Sequence, residues 1–321
     1  MEFLIGSNNN NIIQIMALNT FINTLIENIP DKHLPEELDL VLDGGAFNGI
    51  YMLGGLLYIK ELEQREKIKI KRVSGCSIGA VMGVCFLLNK MEMSIQLCSD
   101  CYKCLRKHQD FKKVLSRFKK KMAGVMTEED LLVVNNRFYL TYFDTLKGKQ
   151  IVKKRYKTTT ELIDNIIKSL YVPYLIERKA TDDDGCVDGA FPYMFKTKET
   201  NRKRKILFLN LQSLDKIKKM IFIKSEKNIY PRLLEGLMDT HRFFEKNQPN
   251  NMCSYVNDWN IIDVLFFRLR EIIYIIIFYI FRLGLHIDYL IPDRWKNDMF
   301  IKQHISVFKN VWRDIMLYIT V

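Results

Sequence analysis

Apolar and polar positions alternate over Leu38-Asp-Leu-Val-Leu-Asp43, the period of a half-buried strand, and then give way to an apolar run from about Ile50 to Gln64. The same order returns downstream. A β-branched run, Ile68-Lys-Ile-Lys-Arg-Val73, meets an apolar, glycine-punctuated run from Ile78 to Leu88. Strand, helix, strand, helix is a βαβ unit, so the pattern predicts an α/β fold whose parallel sheet is covered by helices. Gly54-Gly55 in the first helix would let its backbone approach a neighbour closely. Ile206-Leu-Phe-Leu-Asn-Leu211 reads as a buried strand, the last of the sheet. Helical spacing is predicted over Ile12 to Ile26 and from Ser94 to Phe118, at a start near Thr127-Glu-Glu-Asp130, from Glu161 with a cap near Thr160, and in a tail from Phe300 to Tyr318. Three regions follow: 1–36 as polar tract and helix, 37–215 as the main domain, and 216–321 as a helical, basic and apolar region.

Ile261 to Leu285 is strongly apolar, and its centre, Ile272 to Phe281, is ten residues without charge. A membrane-spanning helix needs about 20 such residues, and Arg268, Arg270, Glu271 and Arg282 interrupt any longer window. A buried or lid helix, an interfacial anchor and a span are all compatible with it.

Three stretches carry candidate chemistry. Gly75-Cys-Ser77-Ile-Gly79 lies at the strand-to-helix corner, where small neighbours leave room for a strained turn and the helix start favours negative charge. An ordinary serine N-cap is the plain alternative. Gly44-Gly-Ala-Phe-Asn-Gly49 follows the first strand, and the N–H groups of such a loop hold a phosphate or an oxyanion, or simply make a tight turn. Cys186-Val-Asp188-Gly-Ala-Phe-Pro192 supplies a carboxylate followed by small residues, which reads either as a base for Ser77 or as a surface Asp-Gly turn.

In this order the three stretches resemble the patatin-like phospholipase family, over about Leu38 to Phe195. The resemblance implies a three-layer α/β/α fold and a lipid acyl hydrolase of phospholipase A or lysophospholipase type, needing no metal or other cofactor. It places Ser77 as nucleophile, Asp188 as its base, and Gly44, Gly45 and Ala46 as the oxyanion loop, with Gly49, Gly75, Gly79 and Gly189 in support. Pro173 resembles the proline that precedes the aspartate strand in relatives. Two departures stand out: Ala46 replaces the third loop glycine, where a negative φ would accommodate the methyl, and Asn48 replaces the usual Arg or Lys. The residues after Asp188 also lack an asparagine that relatives often carry.

Composition narrows the setting. The chain has 321 residues, 48% of them hydrophobic, and 49 basic against 37 acidic residues give a net charge of +12. A basic surface suits anionic lipid headgroups, and no motif for nucleic acid accompanies it. Phe111-Lys-Lys-Val-Leu-Ser-Arg-Phe-Lys-Lys-Lys121 is basic and amphipathic, and Lys196 to Lys205 is a charged loop. Phospholipid or another acyl lipid, presented at a membrane surface, is therefore the expected partner. Cys98, Cys101 and Cys104 stand three apart and would need a fourth ligand, Cys85 or His108, to hold a metal; packing thiols are the alternative. Seven cysteines and no basic region ahead of the first apolar run point to a reducing, intracellular setting. Two rival readings stay open. One is an α/β-hydrolase in which His241, His286 or His304 completes a triad with Ser77 and Asp188, and the other is a non-catalytic, lipid-binding member of the same fold.

Overall fold

The computed structural model describes residues 18–108, 110–173, 176, 177, 179–196, 204–213, 215, 216 and 228–290, with 298–300, 303, 304, 306, 307, 310 and 311 of the tail. Residues 1–17, most of the charged loop after Lys196 and most of the tail helix expected after Phe300 lie outside the described residues.

A seven-stranded sheet is the frame. Its order is β4-β3-β2-β1-β6-β7, with β5 paired to β3 off that path. The strands are β1 (Glu37–Leu42), β2 (Lys69–Cys76), β3 (Phe138–Asp144), β4 (Lys149–Lys153), β5 (Cys186–Asp188), β6 (Arg204–Leu209) and β7 (Cys253–Tyr255). β1 is parallel to β2 and β6, and β2 is parallel to β3; the outer pairs, β3–β4, β3–β5 and β6–β7, are antiparallel. The expectation of a mostly parallel sheet holds. The strand after Arg204 is not the last, because β7 closes that edge.

Helices cover both faces, making three layers. They are α1 (residues 18–27), α2 (Gly49–Gln64), α3 (Ile78–Leu87), α4 (Met91–His108), α5 (Phe111–Val125), α6 (Asp130–Val134), α7 (Thr159–Ser169), α8 (Tyr230–Lys246) and α9 (Ile261–Leu290). Leu38, Leu40 and Leu42 of β1 point into the larger core with α2, α3 and α8, and Val41 points the other way to Ile206, Phe208, Phe195 and Phe267. Burial on both faces is why β6 reads as an almost continuous apolar run over Ile206–Leu209, and why β1, although its sequence alternates, is buried from Leu38 to Leu42. The one polar residue inside β1, Asp39, is fully buried and paired with Arg72 at 2.6 Å.

The long helix expected from Ser94 to Phe118 is two. Asp110 interrupts it and caps α5, its side chain accepting from the Lys113 N–H. The cap of α7 is Thr158, two residues before its expected place: Thr158 accepts from Glu161 N–H, and Glu161 accepts in turn from Lys157 N–H. α2 and α8 cross at small residues, as Gly54-Gly55 leads one to expect. A Cβ on Gly54 would overlap the Leu233 carbonyl, and one on Gly236 would overlap the Tyr51 carbonyl. The helices thus touch backbone to backbone.

Candidate active site

β2 ends at Cys76 and α3 begins at Ile78, leaving Ser77 alone in the corner with φ 51° and ψ −128°. A positive φ at a residue with a side chain costs of order 1–3 kcal/mol unless the surroundings impose it. Here they do. A Cβ on Gly75 would lie 2.5 Å from the Gly79 carbonyl, and one on Gly79 would lie 2.5 Å from the Asp43 carbonyl, so the turn closes only with glycine on both sides. The Ser77 N–H donates to Ser169 Oγ at 2.8 Å, and Ser169 donates onward to the Thr141 carbonyl at 2.7 Å. This clamp ties the corner to the end of α7 and to β3.

Asp188 arrives on β5, paired antiparallel with Tyr142 of β3. Gly189 follows because a Cβ there would overlap the Thr141 carbonyl. The Ser77 hydroxyl donates to Asp188 Oδ2 at 2.6 Å, and Asp188 Oδ1 accepts from the Ala190 N–H at 2.8 Å. Desolvation pushes the Asp188 carboxyl up to about 6, against the pull of those two donors. The expected pair is therefore in contact, with the carboxylate poised to accept a proton near neutral pH.

The glycine-rich loop passes beside Ser77. A Cβ on Gly44 would stand 3.3 Å from Ser77 Cβ. Its N–H is already engaged, donating to Asp43 Oδ1 at 3.0 Å. The N–H groups of Gly45 and Ala46 have no acceptor among the described residues. Ala46 has φ 42°, outside the negative range that would accommodate its methyl, so this position carries the strain that a third glycine would avoid.

Two arginines from helices outside the loop reach it or the residue before it. Arg270 of α9 donates to both oxygens of the buried Asp43, at 2.8 and 3.2 Å. Burial raises the Asp43 carboxyl, and the guanidinium and two backbone donors oppose that rise. Arg232 of α8, itself buried, donates to the Phe47 carbonyl and to Asn48 Oδ1. Asn48 therefore acts as an anchor, its amide donating to the carbonyls of Leu211 and Lys216.

Ser77 and Asp188 open onto a cavity of about 410 Å³ whose walls include Val81, Met82, Val114, Phe118, Ile277 and Phe278. Pro173, Cys98 and Cys101 also line it, and Cys104 is buried in the core. The His108 side chain lies outside the described residues. No histidine lines the cavity among the described residues. His241 is buried between α2 and α8, its Nδ1 3.0 Å from the Tyr58 hydroxyl, and His304 Nδ1 meets the Phe300 carbonyl. The His286 side chain lies outside the described residues.

Sequence patterns missed five contributors. Ser169, Arg232, and Gln212 and Tyr274, which line the cavity, carry no motif. Arg270 had a signal, a charge inside an apolar run, which needs a buried partner.

A three-layer α/β/α domain with a serine at a strand-to-helix corner and an aspartate against it defines the architectural class. The patatin-like phospholipase family model matches residues 40–126, from within β1 through α5, so this segment is similar to that family. No curated protein matches the chain.

Proposed function

We propose that the chain is a lipid acyl hydrolase of phospholipase A or lysophospholipase type that forms an acyl-enzyme on Ser77. The observation that carries this reading is the 2.6 Å hydrogen bond from Ser77 to Asp188 at the mouth of an apolar cavity of about 410 Å³. Asp188 takes the hydroxyl proton as Ser77 Oγ attacks the ester carbonyl. The Gly45 and Ala46 N–H groups stabilise the resulting oxyanion, and the start of α3 adds favourable potential. The alcohol part leaves with a proton from Asp188, and water releases the fatty acid by the same path in reverse. A carboxylate is a weak base for a serine hydroxyl, so the oxyanion loop and the water-poor cavity supply much of the catalysis. A fatty-acyl chain suits those walls, since each buried methylene contributes about 0.8 kcal/mol. No step needs a metal.

Lipid also suits the surface beside the cavity. α9 buries Phe267 and Phe278 and turns the half-buried Arg270 and Tyr274 to the same inner side, while Ile261, Leu265 and Phe266 on the outer side are 76%, 61% and 69% exposed. Ile277 belongs to both, being exposed and lining the cavity, so the apolar face runs into the cavity mouth. No described helix is long and apolar enough to cross a membrane. The reading is of an enzyme resting on a bilayer with α9 against the lipid.

Fatty-acid release from mixed phospholipid, lysophospholipid and neutral-lipid vesicles, followed by mass spectrometry, is the test. Release by wild type that disappears in Ser77→Ala supports the reading, and the products name the bond cut. Ser77→Ala should still sediment with vesicles, whereas Phe266→Glu in that background should not. Folded, vesicle-bound wild type that releases nothing would instead favour the non-catalytic lipid-binding protein.

A further inference from the structure

From the way one peptide group is held, we infer that Gln212, Tyr274 and Arg270 are positioning residues for the oxyanion loop, two of them delivered by the C-terminal helix α9. The inference rests on the acyl-hydrolase reading and assigns residues to it that no motif marks.

Gly44 is gripped at both ends of its backbone. Its N–H is held by Asp43, whose carboxylate is held in turn by the Arg270 fork. Its carbonyl accepts from Gln212 Nε2 at 2.9 Å. Chemistry fixes which way round the Gln212 amide stands: a backbone carbonyl only accepts, so the nitrogen must face it, leaving Oε1 to accept from the Tyr274 hydroxyl at 2.8 Å. Arg270 and Tyr274 are four residues apart on α9, one turn, so both reach the loop from the same face.

The consequence falls on the next residue. The Gly44–Gly45 peptide is trans and planar, so the Gly45 N–H points opposite to the Gly44 carbonyl. Fixing that carbonyl on Gln212 therefore fixes the direction of the first free N–H of the loop. Without Gln212, glycines at 44 and 45 would let the peptide plane turn, and a donor loses most of its value when it no longer aims at the developing charge.

The test compares wild type with Gln212→Met, Tyr274→Phe and Arg270→Lys on p-nitrophenyl butyrate, a monomeric ester that needs no membrane. Thermal unfolding and fluorophosphonate labelling of Ser77 are followed in parallel. Tyr274→Phe removes one hydroxyl and keeps the ring, so it isolates the hydrogen bond. The expected result is a kcat about 10- to 100-fold lower for Gln212→Met and Tyr274→Phe, with KM and the melting temperature unchanged. Arg270→Lys, which keeps the charge without the fork, should fall between them and wild type. Wild-type kcat in Tyr274→Phe and Gln212→Met would overturn the inference, as would losses that follow KM or the melting temperature instead. Wild type that neither hydrolyses the ester nor labels would remove the acyl-hydrolase reading itself, and the inference with it.

Discussion

The Ser77 hydroxyl donates directly to Asp188 Oδ2 at 2.6 Å, and the other carboxylate oxygen is taken by the Ala190 N–H, so in the proposed reaction the aspartate is base and orienting group at once. Among the described residues no histidine stands between them. The pH behaviour of the enzyme should therefore be that of a desolvated carboxyl.

With Asp188 pushed up to about 6, kcat/KM on a soluble ester should rise about tenfold per pH unit below that value and level off above it. A midpoint at ordinary carboxylate values, near 4, would show that Asp188 is not the base.

The same shift bears on stability. A folded-state value above the unfolded one means the native protein holds that proton more tightly, so stability falls as pH rises from about 4 to about 6 and is level beyond. Asparagine does not ionise. Asp188→Asn should therefore abolish turnover yet unfold at a higher temperature at pH 7.5, by about 1–3 kcal/mol, with the advantage fading towards pH 4. Calorimetry at the two pH values checks both the sign and the window.

Removing the Arg270 side chain should be costly. Arg270→Met leaves the fully buried Asp43 carboxylate without its cation, a loss of about 3–5 kcal/mol, and adding Asp43→Asn should recover most of it. Chemical denaturation of the single and double variants measures the recovery.

At the α2–α8 crossing a single methyl should suffice to separate two helices. Gly236→Ala places a Cβ inside the Tyr51 carbonyl, so the backbones must part, at about 1–3 kcal/mol or more. Gly124→Ala, on α5 with nothing within 4 Å of the added methyl, is the control and should be neutral or slightly stabilising.

Sequence periodicity located what is local. The first βαβ unit, its glycine corner and the Asp-Gly turn all announce themselves within a few residues, because strand alternation, helix period and tight-turn chemistry act at that range. The β3–β4 hairpin was not anticipated, nor was β7, a strand of three residues whose place at the sheet edge depends on pairing with β6. The break at Asp110 was hidden because apolar spacing continues on both sides of it. The oxyanion loop shows the same divide: its glycines are visible in order, but the residues that hold them, Gln212, Arg232 and Arg270, lie more than 160 positions away and meet it only in the fold. The backbone at Ala46 is not legible in the sequence for a related reason. Its φ is set by the turn into α2 rather than by the preference of alanine.

The link between Asp43 and Arg270 spans 227 positions, and that distance gives the site a place in time as well as in space. Translation delivers Ser77 first, Asp188 later and the Arg270–Tyr274 turn of α9 later still. A nascent chain carrying the serine corner still lacks the groups that hold its oxyanion loop. On the proposed acyl-hydrolase reading, competence waits for α9: a growing chain that has made Ser77 and Asp188 but not yet Arg270 and Tyr274 is a poor esterase.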